Sequence, residues 1–272
     1  MSLVQYKEKT NTRRFASHLK RAVKNPDAPK NLRVILKKHS GRSFGTVTVR
    51  HQGGRHKRYY RLIDFRRDKF GVEGKVVALE YDPNRNVDIA LVKYQDGDYR
   101  YILAPKDLQT GDPVIAGDKV EVRTGNAMRL KNMPIGTLVH NVELIPGKGG
   151  QIGRSAGTSL ILQAKQPPFA NLKLPSGEIR MFPLESLATI GTLGNEETKN
   201  VNLGKAGRSR HLGIRPTVRG TAQDPRSHAH GGGEGRSGVG RVQPMTKYGR
   251  PAVGKTRKQS KQSGKYIIKR RK

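Results

Sequence analysis

Val87-Asp88-Ile89-Ala90-Leu91-Val92-Lys93-Tyr94, followed across Asp96-Gly97 by Tyr99-Arg100-Tyr101-Ile102-Leu103, is the stretch that decides the fold. Apolar side chains return at every second position, and side chains that alternate between two faces belong to a β-strand. Asp-Gly between two such runs supplies the positive φ angles of a tight turn, so the segment is expected to close as a β-hairpin.

The same period extends outward. Upstream lie Thr46-Val47-Thr48-Val49, Tyr59-Tyr60-Arg61-Leu62-Ile63 and Lys75-Val76-Val77-Ala78-Leu79, and downstream lies Asp118-Lys119-Val120-Glu121-Val122. Five or six short strands without intervening helices predict a small antiparallel barrel over 44–125. A second group runs through residues 136–144, 158–164, 170–174, 178–182 and 188–190, with Ser176-Gly177 as a hairpin turn and Pro146-Gly147-Lys148-Gly149-Gly150 as a glycine-rich connection. This predicts a second barrel over 126–205. No repeat relates the two groups, so two different barrel types are expected. Ahead of them, the spacing of Phe15, Leu19, Ala22 and Val23 permits a short helical turn, ended by Pro26 and Pro29.

The chain of 272 residues is only 33% hydrophobic, so its core must be small. Its net charge of +33 is the electrostatic footprint of a nucleic-acid binder, with a membrane surface as the lesser alternative. The charge is unevenly placed. Residues 1–60 hold sixteen bases and two acids, residues 61–205 twenty and seventeen, and residues 206–272 eighteen and two. A balanced middle therefore carries two basic extensions, 1–43 and 206–272, suited to phosphate. The second extension has twelve glycines and few large apolar residues, so burial cannot offset its ordering entropy and it needs a polyanion to fold against.

Cysteine is absent, which excludes disulfides and thiolate metal sites. Apolar runs such as Ser159-Leu160-Ile161-Leu162 are far too short to span a bilayer, and the N-terminal stretch lacks the apolar segment of a secretion signal. That stretch is basic and poor in acids, as an organelle transit peptide is, but an arm that stays and binds RNA explains it equally well.

Three enzyme-like motifs lack their context. Gly249-Arg250-Pro251-Ala252-Val253-Gly254-Lys255-Thr256 fits the phosphate-binding loop of nucleotide hydrolases, yet no apolar strand precedes it, no apolar helix face follows, and no acid lies beyond Glu234 to hold magnesium. Gly153-Arg154-Ser155-Ala156-Gly157 fits the nucleophile elbow, with Asp224 and His228 in hydrolase order, but a β-run follows where a helix is required. It reads better as a loop that packs small residues close to a partner's backbone, with Arg154 left for phosphate. Gly233-Glu234-Gly235-Arg236-Ser237-Gly238 fits a dinucleotide fingerprint without its strand or helix. His228 and His230 are a conceivable metal pair, but RNA contact suits them better, since imidazole stacks on unpaired bases and donates to phosphate. No catalytic residue, cofactor, metal or small-molecule substrate is expected.

The binding chemistry is densest at His51-Gln52-Gly53-Gly54-Arg55-His56-Lys57-Arg58-Tyr59-Tyr60-Arg61, where bases, glycines and aromatics interleave. The alternative is an edge strand decorated with solvated charge. Tyr81-Asp82-Pro83-Asn84-Arg85-Asn86 is a turn that projects Arg85 from rigid strand ends for a bidentate phosphate contact.

Gly53 to Lys57, Ile63-Asp64-Phe65, residues 80–86, Arg100 to Pro105, Val139 to Glu143, Pro146 to Gln151, Arg154 to Gly157, Leu203 to Gly207, Arg215-Pro216-Thr217-Val218-Arg219-Gly220 and His230 to Arg236, taken in this order, resemble the bacterial-type L-two family of large-subunit ribosomal proteins. The resemblance implies an OB-like barrel followed by an SH3-like barrel, with both extensions threaded into large-subunit rRNA. It also implies neighbouring ribosomal proteins, the small subunit across the intersubunit face, and a C-terminal arm reaching toward the peptidyl-transferase region. The arginines it links to rRNA are here Arg85 and Arg154, and the tail histidine linked to peptidyl transfer is His228. Together with the charge pattern it gives an rRNA-contact set of Arg55, His56, Lys57, Arg58, Tyr60, Arg61, Arg85, Lys148, Arg154, Lys205, Arg208, Arg210, Arg215, Arg219, His228, His230 and Arg236. Departures point to a divergent lineage: the family's N-P-V-D-H-P-H is Asp224-Pro225-Arg226-Ser227-His228-Ala229-His230, without an acid directly before His228, and one expected tryptophan is His211.

The expected function is thus a non-catalytic constituent of the cytoplasmic large subunit that supports subunit association. The rival readings are a free nucleic-acid chaperone or DNA-binding protein, and an organellar ribosome.

Overall fold

The structure, a computed structural model, describes residues 3–7, 10–20, 29–37, 39–254, 257–258 and 260–271. In chain order the strands are β1 (Leu3–Gln5), β2 (Ser17–Leu19), β3 (Arg33–Ile35), β4 (Arg42–Ser43), β5 (Thr46–Val47), β6 (Tyr59–Arg61), β7 (Gly74–Glu80), β8 (Ile89–Tyr94), β9 (Tyr99–Leu103) and β10 (Pro113–Val114). They continue as β11 (Ala127–Arg129), β12 (Leu138–His140), β13 (Val142–Glu143), β14 (Gly150–Ile152), β15 (Leu160–Gln166), β16 (Phe169–Lys173), β17 (Ile179–Pro183), β18 (Leu187–Ile190) and β19 (Ile267–Lys269). The α-helices among the described residues are α1 (Asn11–Arg14) and α2 (Ala206–His211). The chain divides into two compact units, one of Met1–Lys38, Lys57–Lys205 and Lys265–Lys272, the other of His39–His56 and Ala206–Gly264.

In the first unit the decisive hairpin forms the centre of a sheet. β7, β8 and β9 make an antiparallel meander, and β10 adds to the outer edge of β7. β8 is buried on both faces: Ala90, Val92 and Tyr94 join one apolar cluster, Ile89 and Leu91 another, and Lys93 alone is exposed. The turn is not the two-residue kind. Only Gly97 takes a positive φ (85°); its N–H donates to the Tyr94 carbonyl at 2.9 Å, and the Tyr94 N–H donates to the Asp98 carbonyl at 2.9 Å. One left-handed glycine closing a longer turn is the other common hairpin solution. Gly177 repeats it between β16 and β17, with φ 81° and the Leu174–Glu178 closure at 2.8 Å.

The second sheet has seven antiparallel strands in the order β11-β18-β12-β15-β16-β17-β19. Its core includes Met128, Leu130, Val139, Leu160, Leu172 and Phe182, all essentially inaccessible. The fold is mainly β, an OB-like barrel followed by an SH3-like barrel. β19 comes from the far end of the basic extension: Ile267 and Lys269 pair with β17, and Tyr266 packs edge-on against Phe169 at 6.0 Å.

Four expected elements differ. Thr46–Val47 is a strand, but it pairs with β4 in the second unit rather than joining the barrel. Residues 118–122 are not a strand, because the Asn126 side chain staples them as a loop, accepting from the Ile115 N–H and donating to the Glu121 carbonyl. The run 136–144 breaks at Asn141, whose φ of 50° separates β12 from β13. The helical turn of the N-terminal arm lies earlier, at α1, with Phe15 as its C-cap and Leu19 already in β2; Ala22, Val23 and Pro26 are outside the described residues.

In the second unit, β4 and β5 form a two-residue ribbon, α2 is a turn and a half, and the remainder is turns tied by main-chain hydrogen bonds. Among its described residues only Gly41 is buried.

Candidate nucleic-acid interface

In the first unit the interface begins at the turn between β7 and β8. Asp82 is fully buried, and its carboxylate accepts the Asn84 N–H (2.9 Å), the Asn84 amide (2.8 Å) and Arg85 Nε–H (2.6 Å). An aspartate that bonds the backbone two residues on builds such turns by preference. The neighbouring chain braces it: Arg58 Nη1 donates to the Pro83 carbonyl at 2.8 Å, and the Asn84 amide to the Tyr59 carbonyl at 2.6 Å. A guanidinium gripped through Nε keeps its two Nη groups for an outside acceptor, the geometry of bidentate phosphate binding.

Phe65 supports this arginine and a second one. Its ring centroid lies 4.4 Å from the Arg154 guanidinium carbon and 5.9 Å from that of Arg85, which is also 5.7 Å from the Tyr60 ring. Phe65 is itself fixed, since its carbonyl accepts the Gly150 N–H at 2.8 Å and the Asn141 amide at 3.3 Å. Arg154 sits in a loop from β14 to β15, with strands on both sides, so Ser155 is not on a nucleophile elbow. Gly157 closes that loop against backbone: a Cβ there would stand 2.6 Å from Glu196 Cα. Lys148 tips the neighbouring loop, which the buried Glu143 holds by accepting the N–H groups of Gly147 (3.1 Å) and Gly149 (2.7 Å).

Other cations of this unit are committed to the protein's own acids, Arg100 and Lys69 among them. Arg100 reaches Asp64 at 3.0 Å, Asp98 at 3.2 Å and also Asp68, whose carboxyl its hydrogen bond holds below the usual range. Lys69 bonds Asp98 at 2.8 Å and Asp96. His140 is no contact residue either: burial pushes its pKa down to about 4, and Nδ1–H donates to the Gly191 carbonyl at 2.8 Å.

In the second unit residues 51–56 run beside the chain that leaves α2. The Gly53 N–H donates to the Gly213 carbonyl (2.8 Å), the His56 N–H to that of His211 (2.9 Å) and the Arg215 N–H to that of His51 (3.0 Å). Gly213 permits this approach, since a Cβ would lie 3.1 Å from Arg55 Cβ. Arg208 and Arg210 lie on α2, and Arg215 follows it with its side chain against Gly53.

The histidine loop is built by its own imidazoles. His228 Nδ1 accepts the His230 N–H at 3.1 Å, and His230 Nε2 accepts the Met245 N–H at 2.8 Å, so the two rings use opposite nitrogens as acceptors. The rings lie 4.9 Å apart, and Gly220 makes room for His228: a Cβ there would meet its ring at 2.5 Å. Main chain, rather than a carboxylate, therefore orients His228; the nearby Asp224 carboxylate accepts the Arg226 N–H at 2.8 Å. Arg50 holds the loop from the ribbon side, donating to Gln223 Oε1 (3.2 Å) and the Ser227 carbonyl (3.3 Å).

The structure thus gathers Arg58, Tyr60, Arg61, Arg85 and Arg154 around one turn, where Arg61 Nη1 stands 3.9 Å from Asp82. It gathers Arg55, His56, Arg208, Arg210 and Arg215 along α2, and places Arg219 beside Gly220 and the histidine loop. Lys57, Lys148, Lys205 and Arg236 are exposed at separate positions. The stretch 51–61 does not act as one strand, since it divides between the units after His56. Phe65, Glu143 and Arg50 were not among the expected contact residues; an aromatic set among Asp64, Arg66 and Arg67 was the available signal for the first. The nucleotide-loop motif also dissolves: residues 244–252 fold back as a small hairpin through a Met245–Pro251 bridge, and Lys255 and Thr256 lie outside the described residues.

Two family models match the chain. Residues 29–116 match the RNA-binding N-terminal domain of Ribosomal Proteins L2, and residues 123–249 match the C-terminal domain of the same proteins.

Proposed function

The chain belongs to the L2 family of large-subunit ribosomal proteins, a structural, rRNA-binding role, and we propose that it is anchored by two dissimilar interfaces. One is the rigid arginine pair of the first unit, Arg85 and Arg154 on the Phe65 ring, with Arg58, Tyr60 and Arg61 around it. The other is the glycine-rich unit carrying Arg55, His56, Arg208, Arg210, Arg215, Arg219, His228, His230 and Arg236, with Lys57, Lys148 and Lys205 as further phosphate contacts. The single observation that carries this reading is that Arg85 and Arg154, from separate barrels, share one aromatic support.

On this reading the two barrels, which begin after His56 and end near residue 205, position the basic extensions, and the C-terminal arm serves the peptidyl-transferase region and subunit association. Neighbouring ribosomal proteins and the small subunit complete its contacts in a cytoplasmic ribosome, and the protein performs no chemistry of its own. The test is filter binding to large-subunit rRNA across salt. Each neutralised phosphate steepens the slope of log affinity against log salt by roughly 0.7 to 0.9. The Arg85→Ala, Arg154→Ala double variant should flatten that slope by about two phosphates' worth, and a salt-independent wild type would remove the proposal.

A further inference from the structure

The β4–β5 ribbon ends in an unusual turn. Phe44 and Gly45 occupy its two central positions with φ of 46° and 77°, the pair of positive angles that a two-residue hairpin turn demands. Glycine adopts such an angle freely and asparagine tolerates it, but in a bulky residue it is a genuine outlier. The ribbon beneath is tightly made. The Gly41 carbonyl accepts the N–H groups of Thr48 (2.9 Å) and Val49 (3.0 Å) and the Thr48 hydroxyl (3.0 Å), and the Thr46 hydroxyl bonds the Ser43 carbonyl at 2.9 Å.

Strain of this kind is normally repaid by packing, and here there is none. Phe44 is 105% exposed, the most open aromatic among the described residues, with Tyr248 next at 76%. The chain has only six phenylalanines, and it holds one at full exposure, at the tip of a pinned ribbon, in a conformation that disfavours it. Strain that persists at an exposed tip points to function at that tip.

Its surroundings select the occupant. Residues 39–56 contain Arg42, Arg50 and Arg55 and no acid, so the ribbon approaches a polyanion favourably and repels a basic protein surface. Arg50, at the ribbon's base, also grips the histidine loop, so ribbon and loop present themselves as one piece. We propose that Phe44 is a base-stacking wedge, a rigidly presented ring that takes an unpaired rRNA base or inserts between two bases while the flanking arginines hold phosphate. Aromatic stacking on splayed bases is the usual way single-stranded RNA is held.

This inference rests on the rRNA-binding reading, and the test separates the two. The chain has no tryptophan, so Phe44→Trp installs a single indole at the tip. In the free full-length Phe44→Trp chain, indole emission should be that of a solvent-exposed ring, open to acrylamide. On titration with protein-free large-subunit rRNA it should be quenched and become shielded from acrylamide. Phe44→Asn, which relieves the backbone, should keep the thermal transition yet bind rRNA between about fivefold and about 150-fold more weakly, the range for losing one stacked base. Phe44→Trp should bind as wild type does. Unchanged affinity of Phe44→Asn, beside a wild type that keeps its salt-dependent binding, overturns the wedge and leaves the ribosomal reading standing. Shielding of the indole only in assembled subunits, and not on rRNA alone, overturns it in favour of a protein pocket. Loss of salt-dependent binding by the wild type itself overturns the underlying reading.

Discussion

The two units are made from one chain by different means. In the first, Met128, Leu130, Leu160, Leu172 and Phe182 are withdrawn from water, each contributing roughly 1.5–3 kcal/mol by burial. In the second, every described side chain keeps some contact with solvent, and order comes from hydrogen bonds worth roughly 1 kcal/mol each, against about 1–2 kcal/mol of backbone entropy per residue. The first arrangement is self-sufficient. On the proposed reading phosphate and bases add to the second unit's balance, so RNA binding should stabilise it further. On that reading the arginine pair on Phe65 is a contact set in advance by the barrel cores, and the histidine loop one that RNA reinforces.

The largest effect expected of this difference is in the barrel core. Phe182→Ala removes a fully buried ring and should destabilise the first unit by about 3–5 kcal/mol, read as a large fall in the thermal midpoint by circular dichroism. Substitutions in the second unit, such as Arg50→Ala, should leave that transition in place. If Arg50→Ala lowered the midpoint as far as Phe182→Ala does, the two units would be one cooperative body and the comparison would fail.

A second effect, somewhat smaller, depends on pH. Burial holds His140 neutral, with its pKa lowered from 6.5 to about 4. Because the folded value is depressed, the unfolded chain binds the extra proton first as pH falls. Stability should be level above about pH 6.5, decline toward pH 4, and level again below, by up to roughly 1.4 kcal/mol per pH unit inside that window. His140→Asn, which can still donate to the Gly191 carbonyl, should flatten this part of the acid-unfolding curve. Superimposable curves for variant and wild type would mean that His140 is not the group that matters.

Legibility in the sequence follows the same division. β8 and β9 could be read because burial imposes a period on side chains, and Gly97 and Gly177 because a turn imposes a residue type. Residues 118–122 misled because they alternate as a strand does while being held by Asn126, a side-chain staple that no period records. β14, the Gly41 ribbon and the pairing of residues 51–56 with 211–215 left little trace, since main-chain hydrogen bonds are nearly indifferent to the side chains that carry them. For the interface, Arg85 and Arg154 were visible as charges in turns, and their meeting on Phe65 was not, since only the tertiary fold brings separate barrels' loops to one ring. The missing acid before His228 was equally visible, but its consequence needed the structure, where the His230 backbone N–H does the orienting.

The smallest effect concerns that histidine. His228 Nδ1 accepts the His230 N–H, so the imidazole works here as a brace, and its loss should weaken the loop by about 1 kcal/mol. Asparagine offers an acceptor near the position of Nδ1 and alanine does not. His228→Ala should therefore lower rRNA affinity roughly fivefold, the equivalent of that one bond, and slow subunit assembly, while His228→Asn restores both. The peptidyl-transfer rate of subunits that do assemble should be the same for both variants, because the brace acts on how the loop folds. A rate that stays low in His228→Asn subunits of normal composition would show the imidazole acting beyond the brace. The loop would then be a preformed contact like the Phe65 arginines, and the contrast between the units would end at its edge.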